Sequence, residues 1–226
     1  AWRTEPVAGW RDVQDLGAFG DAVRADDPSY KSIDKLIPPA YLRKAFELGK
    51  PVASARLYAT AAGVYEARLN GQKVGNDFLT PGWTDYDQRV RYQTYDVTAL
   101  LKKGPNVLGA IVADGWYAGR TGMGQHLWGF ERAFLAELVV TYKDGSSEIV
   151  ATDTSWRGTT GPYRRADFLD GETYDARRTI PGWDTPAFLG ETWRPVVAVS
   201  PNVGKLEAQV EPTVRQVKTL AVKKVT

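Results

Sequence analysis

The chain has no cysteine, one histidine and one methionine among 226 residues. Without cysteine there is no disulfide, no thiolate metal site and no cysteine nucleophile. A Ser-His-Asp triad would have to use His126, which sits among glycines, and no Gly-x-Ser-x-Gly elbow occurs in the sequence. A zinc site would need further His or Cys ligands. The glycines from Gly119 to Gly124 lack the Lys-Ser/Thr ending of a Walker phosphate loop. No run of 18 apolar residues exists, so no membrane-spanning helix and no membrane partner are expected. Charge of one sign is lacking too: 29 basic and 27 acidic residues leave a net +2, with both signs interspersed. A nucleic-acid binder clusters its basic residues on one face, so nucleic acid is not an expected partner. No charged segment followed by an apolar one stands at Ala1, so no signal peptide is expected in the sequence as given.

Helical periodicity is scarce as well. What is present is a succession of short β-branched and aromatic runs punctuated by Gly, Pro, Asn and Asp. Arg56–Thr60 reads as a strand. Val64–Leu69 alternates, placing Val64 and Glu66 on one face. Asn70-Gly71 then suits a type I′ turn into Gln72-Lys73-Val74. Gln88–Val97 is another strand. Thr98 is expected to cap one helical turn, Ala99–Lys102, stopped by Gly104 and Pro105. Val107–Ala113 reads as a core strand. Phe134–Tyr142 reads as a long one, turned back by Lys143–Ser146 into Glu148–Val150. Trp156 and the segment around Leu169 suggest further short strands. Such a pattern predicts an all-β fold, a jelly-roll β-sandwich.

Two stretches break the rhythm. Residues 1–37 are polar and loop-like, and read as the tail of a preceding domain. Residues 115–130 form a long Gly- and aromatic-rich loop, and a loop of that length inside a compact domain is functional or disordered as a rule. The jelly roll is expected over residues 38–204, with 205–226 an exit strand or linker to a following domain. Gly9-Trp10-Arg11-Asp12-Val13 echoes Thr192-Trp193-Arg194-Pro195-Val196, and each reads as a closing segment. Eight Trp and eleven Tyr serve either as large core residues or as sugar-stacking platforms.

Several motifs in order carry a resemblance. They are Ala40–Phe46, Gly63–Glu66, Leu69–Gly75, Pro81–Tyr86, Tyr92–Thr98, Asp114–Tyr117 and Asp170–Arg177. Over roughly residues 38–200 the chain resembles the N-terminal domain of bacterial α-L-rhamnosidases of glycoside hydrolase family 78. It is also similar to carbohydrate-binding module family 67, whose members include jelly rolls that bind L-rhamnose through calcium. The resemblance implies a galactose-binding-like sandwich, a rhamnose-containing glycan as partner, and a parent enzyme whose catalytic domain is a separate helical (α/α)₆ barrel. No catalytic residue is expected in this chain. The parent is expected to be extracellular or periplasmic, with a cytoplasmic location as the other option.

On that resemblance Asn76 and Asp77 would chelate calcium, a cation that takes carboxylate, amide and carbonyl oxygens, with carbonyls of the 115–130 loop and sugar hydroxyls completing the shell. The other reading of this pair is a turn. Trp116, Tyr117, Arg120 and Trp128 are the expected sugar contacts: rings to cover an apolar sugar face, a guanidinium for hydroxyls. Alternatively, Trp116 and Tyr117 lock the long loop onto the sandwich. Trp83 and Asp85 are read as structural. Asp167, Asp170, Glu172 and Asp175 are the best acid cluster, read as partners of Arg164, Arg165 and Arg177 rather than as a hydrolytic pair. The leading function is a non-catalytic module that binds terminal L-rhamnose, calcium-dependent as the resemblance implies. The alternative is a structural module packed on the catalytic barrel.

Overall fold

The computed structural model describes residues 22–25, 37–190 and 192–224. The strands are β1 (Ala22–Ala25), β2 (Ala40–Leu48), β3 (Val52–Ala62), β4 (Val64–Leu69), β5 (Gln72–Lys73), β6 (Asp77–Phe78), β7 (Arg89–Asp96) and β8 (Gly104–Ala113). A single helical turn, α1 (Gly115–Ala118), follows. Then come β9 (Arg120–Thr121), β10 (Gly124–Gln125), β11 (Ala133–Tyr142), β12 (Ser147–Ala151), β13 (Arg157–Thr160), β14 (Tyr163–Asp167) and β15 (Gly171–Tyr174). The last are β16 (Arg194–Val199), β17 (Lys205–Ala208) and β18 (Val214–Arg215).

Two sheets face each other, as apolar alternation requires. The first runs β7-β3-β11-β1-β16, with β12 beside the second half of β11. The second runs β13-β2-β8-β4-β5. Strand β16 belongs to both: Val196–Val199 pair with β1, and Arg194 and Pro195 pair with β13. Among the described strands only β17, against β7, runs parallel to its neighbour. Leu42, Leu57, Leu69, Leu108, Phe134, Leu138 and Trp156 are fully buried between the sheets. In β4 the alternation sends Tyr65, Ala67 and Leu69 inward and leaves Val64, Glu66 and Arg68 on the outer face.

The Asn70-Gly71 turn has φ of 51° and 86° at its two residues, as a type I′ turn demands. Other local readings change. The loop-like reading of residues 1–37 gives way at Ala22–Ala25, where Val23 is fully buried in the core and β1 fills the seam between β11 and β16. The sequence Ala-Val-Arg-Ala is too short to announce a strand; its partners create it. The Gly9–Val13 echo lies outside the described residues. The helical turn spans Thr98–Leu100 as 3-10 helix, and the Thr98 side chain does not cap it. Asp96 instead accepts the Thr98 N–H at 3.1 Å and its hydroxyl at 2.7 Å. Gly104 and Pro105 begin β8 rather than ending a helix.

Candidate functional site

Three loops meet through their aromatic rings. Trp83, from the turn after β6, stacks on Trp116 of α1 with centroids 5.1 Å apart and meets Trp128 edge-on at 6.2 Å. Trp116 also contacts Phe168, in the β14–β15 turn, at 4.0 Å. Gly115 lets α1 sit this close to the sandwich: its φ is +53°, and a Cβ there would lie 2.6 Å from the Val64 nitrogen. Beneath α1, Arg132 pairs with Asp114 at 3.2 Å and donates to the Pro38 carbonyl at 2.9 Å. Burial pushes the Asp114 carboxyl up, and the Arg132 guanidinium opposes that.

The four residues expected to touch sugar separate here. Tyr117 is only 2% exposed and packs on Tyr86 at 5.3 Å, so it anchors the loop and presents no face to a ligand; that expectation is corrected. Trp116 and Trp128 are half-buried and packed on the cluster around Tyr86 and Leu135. Arg120 is exposed but tethered: it pairs with Asp170 at 3.1 Å, and its N–H donates to Asp167 at 2.7 Å. Its work is to bind the long loop to the β14–β15 hairpin.

Three of the four clustered acids are spoken for. Asp167 accepts the N–H groups of Leu169 and Asp170, Asp170 pairs with Arg165 at 3.0 Å as well as with Arg120, and Asp175 pairs with Arg177 at 2.8 Å. Glu172 differs. Among the described residues its carboxylate has no ion pair or hydrogen bond, and it lines an open groove of about 260 Å³. The outer faces of β4 and β8 contribute Val64, Glu66 and Ile111 to that groove. The β5–β6 segment contributes Lys73, Asp77, Phe78 and Leu79, and the hairpin contributes Tyr163 and Phe168. Lys73 stands 4.0 Å above the Phe78 ring, and burial, with Glu172 second, raises the Tyr163 hydroxyl's pKa. Sequence reading missed Phe78, Tyr163 and Phe168, because only the folded hairpin brings them together.

Asn76 and Asp77 lie at the start of β6. Asp77 is 9% exposed, and its Oδ1 accepts Arg215 Nε at 2.8 Å and the Thr213 hydroxyl. A guanidinium already neutralises the carboxylate that the cation would need. Among the described residues no group of three or more His, Cys, Asp or Glu is placed to hold a metal. Asp77 ties β18 to β6 instead.

Residues 50–218 match the family model described as the α-L-rhamnosidase N-terminal domain. This chain belongs to that family. The α-L-rhamnosidase of Streptomyces avermitilis is 46% identical over the whole of this chain, which covers 23% of that protein. An α-L-rhamnosidase of Formosa agariphila is 43% identical over 78% of the chain, which covers 20% of it. The crystal structure of the S. avermitilis enzyme complexed with L-rhamnose superposes with a TM-score of 0.81 at 49% identity, over 84% of this chain and 19% of that one. The native Aspergillus terreus enzyme gives 0.82 at 39% identity, over 87% of this chain and 23% of that one. The chain thus spans about a fifth of the relatives it matches. As an α-L-rhamnosidase N-terminal domain it is a module of a glycoside hydrolase rather than a catalytic unit.

Proposed function

We propose that this rhamnosidase N-terminal domain is a non-catalytic carbohydrate-binding module that holds a terminal L-rhamnose in the groove beside Glu172. The observation that carries the reading is that groove: a carboxylate without an ion pair among the described residues, a phenol and two phenyl rings converge on a space near the lower end of ligand sites, roughly 300 Å³. That suits one monosaccharide. Carboxylates accept from sugar hydroxyls, and rings cover the apolar face that a 6-deoxy sugar presents. The S. avermitilis relative was crystallised with L-rhamnose, which supports the choice of sugar. Calcium is left out of the proposed contacts, because Arg215 holds the Asp77 carboxylate.

One observation favours a second role, packing on the catalytic domain of a parent rhamnosidase. Val214, Val217, Leu220 and Val222 near the end of the described chain are all more than half exposed. Apolar side chains in such a run are covered at little cost by a neighbouring domain. For a module that meets a polymer, the proposed location is extracellular or periplasmic.

Isothermal titration with L-rhamnose tests the binding role. Wild type should bind, and Glu172→Gln and Phe168→Ala should each weaken binding about tenfold, or about 1.4 kcal/mol. A chelator should leave the affinity unchanged. Loss of binding on chelation would put calcium back into the site and require Arg215 to leave Asp77. Wild type that ignores L-rhamnose would leave packing as the module's role.

A further inference from the structure

The groove does not stand alone. A second cavity, of about 450 Å³, lies on the far side of Phe78 and Leu79, and both residues line both spaces. Its lining includes Trp83, Arg89 and Gln209. Trp83 is 49% exposed, although Trp116 and Trp128 hold its ring in place. A fixed, half-open indole beside the Arg89 guanidinium offers a sugar ring a stacking face and a donor, while the Gln209 amide is held by Glu211. The charges that line this cavity balance, Arg89 and Arg91 against Asp85 and Glu211, which fits a neutral sugar better than an acidic one.

The ridge between the cavities holds an uncommon backbone conformation. Leu79 has φ of +58°, a left-handed conformation that costs a bulky L-residue about 1 kcal/mol or more. Leu79 is 39% exposed and lines both cavities, while the next residue, Thr80, is buried and bonded to Tyr65. The ridge is also rigid. Phe78 pairs with Val214 of β18, and the Asp77–Arg215 ion pair fastens that strand.

We infer that the two cavities form one track, and that the module's ligand is a rhamnose-terminated oligosaccharide whose neutral second sugar crosses the Phe78–Leu79 ridge and stacks on Trp83. This rests on the placement of rhamnose in the first groove and specifies the class of glycan beyond it. Rutinose, an α-L-rhamnosyl-glucose disaccharide, is the probe, with L-rhamnose as the reference. Wild type should bind rutinose about tenfold more tightly than L-rhamnose. Trp83→Ala should erase that gain and leave the L-rhamnose affinity within about twofold. Leu79→Gly should also reduce the gain without lowering Tm, because glycine accepts the positive φ; this variant carries the test if Trp83→Ala fails to fold. Equal affinities in wild type would overturn the track, as would parallel losses for both ligands in Trp83→Ala, which would make Trp83 only a support for Trp116. The first groove is judged separately. If Glu172→Gln leaves L-rhamnose binding intact, the placement of rhamnose falls, whatever Trp83 does.

Discussion

Arg43 is 4% exposed and, among the described residues, faces no carboxylate. Its guanidinium instead donates to the carbonyls of Trp183 at 3.0 Å and Phe188 at 2.9 Å, and lies over the Phe188 ring. One side chain thereby folds the irregular 182–190 segment onto the outer face of β2, where Trp183 and Trp193 pack with Tyr41. Burial alone lowers the Arg43 pKa, so its fixed charge is held at a cost that these bonds offset. Replacing it by Met should take the donor from the Trp183 and Phe188 carbonyls and destabilise the fold by about 2–4 kcal/mol. Urea unfolding followed by tryptophan fluorescence would measure this. Arg43→Lys should recover little, since one ammonium cannot reproduce a planar fork that reaches two carbonyls.

Strand β18 is two residues long, and both of its residues are exposed. So short a strand is not self-supporting, and its attachment rests on Asp77, whose carboxylate Arg215 and Thr213 share. Asp77→Asn should cost about 1–2 kcal/mol through the lost charge-assisted bonds. Hydrogen exchange should quicken at residues 212–216 while β3 and β11 stay protected. Equal protection of β18 in variant and wild type would show that backbone pairing with Phe78 suffices. The adjacent Asn76-Asp77 sequence reads as an oxygen-rich turn, and that much was visible before folding. The partner more than a hundred residues away was not, because the Thr213-Val214-Arg215 sequence carries no local mark of what it will meet.

Across the whole molecule, the exposed carboxylates set the response to acid. Hydrogen bonds from Thr98 hold Asp96 low, Lys50 and Ser146 do the same for Asp144, and Arg177 for Asp175. A depressed folded pKa means stability that is present above the ordinary value of 3.8 and lost as pH falls through the folded one. Asp114 runs the other way: its raised folded pKa lets the native state take up a proton first, so its contribution grows on acidification. Tm should therefore hold steady above about pH 5 and fall below about pH 4. The double variant Asp96→Asn, Asp144→Asn should flatten that acid limb, and Asp114→Asn should steepen it. Thermal melts at stepped pH would check both slopes.

Alternation along Val64–Leu69, the Asn70-Gly71 turn, the apolar Val107–Ala113 run and the ordered motifs from Ala40 to Arg177 were enough to establish an all-β sandwich and its rhamnosidase kinship. These are local signals: side chains two apart share a face, and a positive φ selects its residues wherever the turn lies. Which aromatic rings stay open is another matter. Tyr117 and Trp83 each lie within two residues of a glycine, yet one is buried against Tyr86 and the other is half in solvent. Likewise, among the described residues, Glu172 is left unpaired while Asp170, two residues before it, binds two arginines. Exposure and pairing depend on which distant loops fold across a face, here the β14–β15 hairpin over β4 and β8, and only the tertiary structure decides that.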